Sequence, residues 1–141
     1  MVDIKERATR LVAVALIIAL LSSITIVIAS ARESLYIKSY SANMTTGSNG
    51  KVTASFSITG FSKMDEIGST KIEIYENNKL VKTYNSSSTS GMMGSDKALH
   101  TGTVTYTGVK GRTYKAIVTF KCGKGGGYDN RSATTTSVTA K

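Results

Sequence analysis

The stretch Gly108–Phe120, GVKGRTYKAIVTF, indicates a tight turn that leads into a β-strand. Gly108 and Gly111 suit the turn, and Tyr114 stands where the strand begins. Apolar side chains then recur at every second position, which is typical of a strand with one buried face. These residues are Ala116, Val118, Phe120 and Cys122. We therefore expect this strand to lie at the centre of the fold, with its inner face beginning at Tyr114.

Six further segments show the same alternation, separated by turns rich in Gly, Ser and Asn. They are residues 34–42, 51–59, 70–76, 80–85, 101–107 and 132–139. Asn77-Asn78 suits a two-residue hairpin between the third and fourth segments because Asn tolerates positive φ. Seven short strands predict an all-β, seven-stranded sandwich of the immunoglobulin or fibronectin-III-like kind.

In such a sandwich, Tyr114 is expected to be a corner residue, with its ring in the core and its hydroxyl bonded to upstream backbone. The chain has no Trp and a single cysteine, Cys122, so an antibody-type domain with its paired cysteines is excluded. We predict that Cys122 is a buried strand residue.

Three segments outside the predicted strands contain features of their own. Residues 60–69 form a predicted connection, and three of its residues are expected to cap the core: Phe61, Met64 and Ile67. In the irregular segment 86–98, Met92 and Met93 either cover the open end of the core or form a mobile apolar contact surface. The glycine-rich segment 123–130 is predicted to be a flexible hairpin tip.

The first 31 residues differ sharply from the remainder. A start with three basic residues precedes the uncharged run Leu11–Ala29, and the small residues Ala29 and Ala31 then form an A-x-A site. This order indicates a secretory signal peptide, although 19 uncharged residues also approach the length of a membrane-spanning helix. Residues 1–31 are therefore a signal peptide or a membrane anchor, and residues 32–141 a β-sandwich domain that is secreted or surface-tethered.

Residues 32–141 contain 15 Lys and Arg against 7 Asp and Glu, a net charge of +8. This charge favours an anionic cell-envelope component as partner, or it serves solubility. The basic residues are scattered singly along the sequence, and the basic-aromatic interleaving of single-strand binders is missing, so nucleic acid is not an expected partner. Four tyrosines are expected at the surface, where they would form a face for a sugar or a protein: Tyr36, Tyr40, Tyr75 and Tyr128.

No catalytic, cofactor-binding or metal-binding residue is assigned from the sequence. His100 is the only histidine and is expected to be exposed at the start of a strand. With Asp96 and a serine it supplies the residue types of a catalytic triad, but a triad is defined by geometry, so no catalytic role is assigned. One His and one Cys cannot complete a zinc site, and the pairs Asp65-Glu66 and Asp129-Asn130 are expected to be turn residues.

The opening of the domain, LYIKSYSANMTTGSNGKVTASFSITGFSKMDEIGSTKIEIYENNKLV at 35–81, and the later GRTYKAIVTFKCG at 111–123 carry a resemblance. Together with the leader they resemble a family of small secreted proteins of unknown function from Gram-positive bacteria. The resemblance implies a secreted β domain and brings no catalytic residues with it.

These features predict a non-enzymatic binding module that is secreted or tethered to the cell surface, with a protein or an anionic envelope component as partner. In this interpretation the membrane is a partner only through residues 11–29, if they are not cleaved. The alternative is a pilin-like assembly subunit built on an uncleaved N-terminal helix, for which the basic start, the long apolar run and the β domain also provide the parts.

Overall fold

The computed structural model describes residues 33–141, which form one compact unit from Glu33 to Lys141. The predictions for residues 1–31 lie outside the described residues. Antiparallel strands make up the unit: β1 (Ile37–Thr46), β2 (Lys51–Met64), β3 (Glu66–Glu76), β4 (Lys79–Asn85), β5 (Met93–Gly94), β6 (Lys97–Thr107), β7 (Thr113–Lys124), β8 (Gly127–Thr134) and β9 (Val138–Thr139). No helix long and apolar enough to cross a membrane occurs in residues 33–141.

The strands are divided between two sheets. One sheet has the order β1-β2-β6, and the other has the order β4-β3-β7-β8, with the short strands β5 and β9 added to β3 and β7. The inner faces of the two sheets meet in a single core, where the rings of Phe56 and Phe120 lie 6.1 Å apart. The domain is therefore an all-β sandwich, as the alternation predicts.

The alternating residues of β2 and β7 are buried as expected. In β2 these are Val52, Ala54, Phe56 and Ile58, and in β7 they are Tyr114, Ala116, Val118, Phe120 and Cys122. The hairpin between β3 and β4 also forms where predicted, because Asn77 and Asn78 adopt φ of 45° and 68°, both in the left-handed region that this tight turn requires. The burial of Cys122 is confirmed.

The predicted connection 60–69 is wrong in its structure, because β2 continues to Met64 and β3 already begins at Glu66. Met64 and Ile67 are buried as expected, whereas Phe61 is 62% exposed. The register of β2 against β6 shifts between Thr59 and Met64, and the Phe61 amide donates instead to the carbonyl of Tyr36. The even-numbered residues of β2 from Val52 to Gly60 are buried, so the regular alternation of the strand places the side chain of Phe61 on the outer face.

The C-terminal part differs from the prediction at two places. The expected flexible tip 123–130 is a tight hairpin, with only Gly125 and Gly126 between β7 and β8, at φ of 61° and 85°. The expected last strand 132–139 is interrupted at Thr135, whose hydroxyl accepts a hydrogen bond from the Ala116 amide (2.9 Å) while its own amide donates to the Ala116 carbonyl. The chain then rejoins β7 as β9.

The irregular segment 86–98 covers the open end of the core, which is the first of the two roles predicted for Met92 and Met93. Met92 is buried at 1% exposure, and Met93 is half-buried in β5, which pairs with β3. The backbone at Gly68 allows this close approach, because a Cβ there would lie 2.2 Å from the Met92 carbonyl oxygen.

Candidate binding site at the basic end

Tyr114 fixes one end of the sandwich. Its ring is buried at 1% exposure, its hydroxyl accepts a hydrogen bond from the Val109 amide (2.7 Å), and it donates to Glu76 Oε1 (2.6 Å). Arg112 Nη1 donates to the same carboxylate oxygen at 3.1 Å. The hydrogen bond from Tyr114 and the nearby Arg112 lower the pKa of Glu76 in spite of its partial burial, whereas burial and the bond to Glu76 raise the pKa of Tyr114. The carboxylate is therefore ionised and committed to internal partners at neutral pH.

Backbone hydrogen bonds bring four separate parts of the chain together around this anchor. The Gly108 amide donates to the Gly50 carbonyl (2.9 Å), which joins the β6–β7 turn to the β1–β2 turn. The Asn77 amide donates to the Thr113 carbonyl (2.9 Å), which adds the β3–β4 turn. The Gly111 amide donates to the Ala140 carbonyl (2.9 Å), so the segment after β9 belongs to the same end.

The basic residues at this end, which we call the basic end, include Lys51, Lys79, Lys110, Arg112 and Lys115. Four of them are exposed and Lys115 is half-buried. The acidic side chain that faces them, Glu76, already bonds Tyr114 and Arg112, so it offsets little of the surrounding positive charge. Basic residues that are scattered singly along the sequence thus lie at one end of the folded domain.

A pocket of about 250 Å³ opens within the basic end. Every residue that lines it has a polar or charged group, and two of them, on β3 and β7, are tyrosines. The lining residues are Tyr75, Asn77, Asn78, Thr113, Tyr114, Lys115 and Ser137. Amide and hydroxyl groups that both donate and accept hydrogen bonds stand here beside the Lys115 ammonium, which only donates. The pocket suits a small polar group that carries negative charge.

The rest of the described surface differs from the basic end. At the opposite end, lysines stand beside carboxylates: Lys121 pairs with Glu66 at 3.0 Å and Lys63 with Asp96 at 3.9 Å. The outer face of the three-stranded sheet presents small uncharged residues along its middle: Ser41, Asn43, Thr45, Thr53, Ser55, Ser57, Thr101, Thr103 and Thr105. Positive charge that is not matched by nearby acid is thus concentrated at the basic end.

The four predicted surface tyrosines do not share a face. Tyr75 lies beside Lys115 at the basic end, whereas Tyr128 lies beside Gly123, eight residues further along β7. Tyr40 is 40% exposed, with its ring 5.2 Å from that of Phe120, and Tyr36 packs against the core. Of the four, only Tyr75 lines the pocket.

His100 and Cys122 belong to the interior. His100 is 9% exposed within β6, which corrects its prediction as an exposed residue at a strand start. Its Nε2 donates to the Gly91 carbonyl (2.9 Å), while Asp96 faces Lys63, so these groups do not form a triad. Burial raises the pKa of the Cys122 thiol to about 11, which leaves it protonated.

Residues 33–141 contain no group of three or more His, Cys, Asp or Glu side chains placed to hold a metal ion. The fold and the basic end together define a β-sandwich domain with a pocket of polar side chains beside the Lys115 ammonium. Comparison with known protein families, with curated proteins and with solved structures finds no match to this chain.

Proposed function

We propose that the chain is an extracellular, non-enzymatic binding module that recognises an anionic component of the cell envelope through its basic end. The observation that carries the proposal is a polar pocket lined by Lys115 at the end of the sandwich where Lys51, Lys79, Lys110 and Arg112 also lie. Such a concentration of one charge attracts an anionic polymer from a distance, and the pocket orients one of its charged groups.

The scaffold proposed for this function is an immunoglobulin-like sandwich of the fibronectin-III kind. If the seven long strands are lettered A, B, C, C′, E, F and G, the sheets have the orders A-B-E and C′-C-F-G. Immunoglobulin-type sandwiches divide their strands in this way, with E beside B and C′ beside C. Tyr114 supports the assignment, because it stands at the start of the sixth long strand and its hydroxyl bonds the backbone five residues upstream.

The secreted or surface-tethered location rests on the leader and on the resemblance of the leader and of residues 35–81 and 111–123 to small secreted proteins of Gram-positive bacteria. N-terminal sequencing of the extracellular protein tests both forms. A new terminus at Arg32 means release, whereas retention of residues 11–29 means tethering and keeps open the alternative of a helix-based, pilin-like assembly.

The binding proposal is tested with immobilised poly(glycerol phosphate), a neutral glucan and duplex DNA. We expect retention on the poly(glycerol phosphate) at low ionic strength, release as salt rises, and no retention on the glucan. Stronger retention on duplex DNA than on poly(glycerol phosphate), at the same amount of immobilised phosphate, would contradict the proposal that the ligand is an envelope polymer.

Two double variants with equal changes of net charge give the matched comparison. Lys110→Glu with Lys115→Glu alters the basic end, and Lys38→Glu with Lys97→Glu alters the opposite end. We expect the first pair to abolish retention and the second to leave most of it. Equal losses in both would mean that net charge alone causes binding, and the basic end would not be a site.

A further inference from the structure

The four most exposed large apolar side chains of residues 33–141 lie at the end opposite the basic end. They are Leu35, Phe61, Leu99 and Tyr128, with exposed fractions of 68%, 62%, 55% and 55%. We call them the apolar rim. Exposed apolar side chains are ordinary when they are single, but a group of them at one place indicates a contact surface.

Hydrogen bonds and strand register place the members of the apolar rim close together. The Phe61 amide donates to the carbonyl of Tyr36, the residue after Leu35, at 3.1 Å. The Leu35 amide donates to Asp129 Oδ2 at 2.8 Å, which brings it next to Tyr128. Leu99 pairs with Thr59, two residues before Phe61.

The apolar rim surrounds an end of the sandwich instead of covering one sheet face. Leu99 projects from the outer face of the three-stranded sheet, and Tyr128 projects from the outer face of the other sheet. Phe61 lies on the same outer face as Leu99, and Leu35 lies between the two sheets, where the residues before β1 meet β8. A flat surface that lies across the strand direction would touch all four side chains at once.

The chain itself brings such a surface to this end. The uncharged run ends at Ala29, and Ser34 is already fixed to the domain by a hydrogen bond from its Oγ to Asp129 Oδ2 (2.7 Å). Five residues of extended chain span at most about 18 Å. A run that crosses a bilayer would therefore hold the apolar rim within the thickness of the headgroup region or just above it.

We infer that, in the tethered form of the proposed module, the apolar rim rests on the surface of the lipid bilayer. Aromatic and leucine side chains at the interface bury their apolar parts among the upper acyl chains. Lys97, Lys124 and Lys63, whose ion pair with Asp96 is long and exposed, stand around the rim and reach lipid phosphates. The basic end then faces away from the membrane, about 35 Å further along the strands, where an envelope polymer is accessible.

Tryptophan fluorescence tests this contact without background, because the chain contains no Trp. The variants Phe61→Trp and Val109→Trp place one reporter in the apolar rim and one at the basic end, and both native side chains are largely exposed. The full chain is reconstituted in vesicles of phosphatidylcholine with a minority of phosphatidylglycerol, with or without lipids brominated near the headgroup. We expect brominated lipid to remove most of the emission from position 61 and little from position 109.

Amine labelling of the native sequence gives a second measurement that needs no substitution. We expect vesicles, relative to detergent micelles, to slow the labelling of Lys63, Lys97 and Lys124 and to leave that of Lys79 and Lys110 unchanged. Equal quenching at positions 61 and 109, or rim lysines that label equally fast in vesicles, would overturn the inference. Protection in detergent that depends on protein concentration would show instead that the rim binds a second copy.

The inference rests on the tethered form of the proposed function, but the two fail separately. Retention on poly(glycerol phosphate) is measured on the same proteins in detergent, where no bilayer is present. Loss of polymer binding with an intact bromine effect rejects the anionic site alone, and the reverse result rejects the membrane contact alone.

Discussion

The hydroxyl of Tyr114 joins two turns that are far apart in the sequence. It accepts from the Val109 amide of the β6–β7 turn and donates to Glu76, the last residue of β3. Its ring lies 6.0 Å from that of Tyr106, so the same side chain also fills the end of the core. One residue thereby stabilises the packing of the core and the position of the loops that carry the basic end.

Replacing Tyr114 by Phe tests the contribution of the hydroxyl alone. The ring stays in the core, whereas the Val109 amide loses its acceptor and Glu76 loses a donor. A part-buried group left without a partner costs about 1–3 kcal/mol, so we expect the free energy of unfolding in urea to fall by this amount. Tyr75→Phe, at a half-exposed residue with the same chemistry, is the control and should change it little.

Asp129 has an equivalent role at the opposite end. Its Oδ2 accepts from Ser34 Oγ, the Leu35 amide and the Tyr36 amide, at 2.7, 2.8 and 3.1 Å. The hydrogen bond from Ser34 is the largest cause that lowers the pKa of Asp129 below its ordinary value of 3.8. A carboxylate with a lowered pKa stabilises the folded state at pH values above its ordinary pKa, and this stabilisation is lost as the pH falls through the folded pKa.

We therefore expect Asp129→Asn to remove part of the loss of stability in acid. The amide oxygen still accepts a hydrogen bond, but the group no longer titrates. Urea unfolding followed below pH 4 should show a shallower dependence on pH than in the native sequence. The exposed Glu33 offers the control Glu33→Gln, and an equal effect there would contradict the role of Asp129.

At the scale of the elements, the β6–β7 turn depends on the close approach of Gly108 to Tyr114. A Cβ at Gly108 would lie 2.4 Å from Cζ of the Tyr114 ring, whereas a Cβ at Gly47, in the β1–β2 turn, meets its nearest atom at 3.6 Å. The two positions form a matched pair, because neither glycine adopts a positive φ.

Gly108→Ala is expected to push the Tyr114 ring out of its place. Overpacking of this kind costs typically about 1–3 kcal/mol, so the midpoint of thermal unfolding should fall by several degrees, while Gly47→Ala should leave it close to native. Calorimetry of the two variants decides the point. If both variants kept the native midpoint, the position of the Tyr114 ring would not depend on the absence of a side chain at Gly108.

The difference between local and distant contacts explains which features the sequence predicts. Burial of Tyr114 and Cys122 follows from alternation within one strand, which local spacing reveals. The environment of His100 depends on the Gly91 carbonyl, which the irregular segment before β6 brings to it, and local spacing does not reveal that. Phe61 is apolar enough for the core, but β2 continues through it, and the alternation of that strand places its side chain on the outer face.

The basic end is a product of topology in the same sense. Lys51, Lys79 and Lys110 are each about thirty residues apart in the sequence, and they meet only because β1–β2, β3–β4 and β6–β7 all turn at one end. The signal in the sequence is the position of these three lysines at alternate turns. In an antiparallel sandwich alternate turns lie at the same end, so the order of the predicted strands places the three lysines together.

At the scale of the whole molecule, binding at the basic end should raise the stability of the entire domain, because both sheets share a single core. A ligand that binds only the folded state raises the free energy of unfolding by about 1.4 kcal/mol when its concentration is ten times its dissociation constant. In a domain of this size, that gain raises the midpoint of thermal unfolding by about 5–10 °C. We expect poly(glycerol phosphate) at low salt to produce such a rise, and added salt to cancel it.

The two charge-reversal pairs separate binding at the basic end from general screening of charge. Lys110→Glu with Lys115→Glu should lose the rise, since it changes the sign of two charges at the basic end, one of them in the lining of the pocket. Lys38→Glu with Lys97→Glu carries the same change in net charge and should keep it. A polymer that stabilised both variants equally would act through the total charge of the protein. The pocket beside Tyr114 would then be a consequence of how Tyr114 packs, and not a binding site.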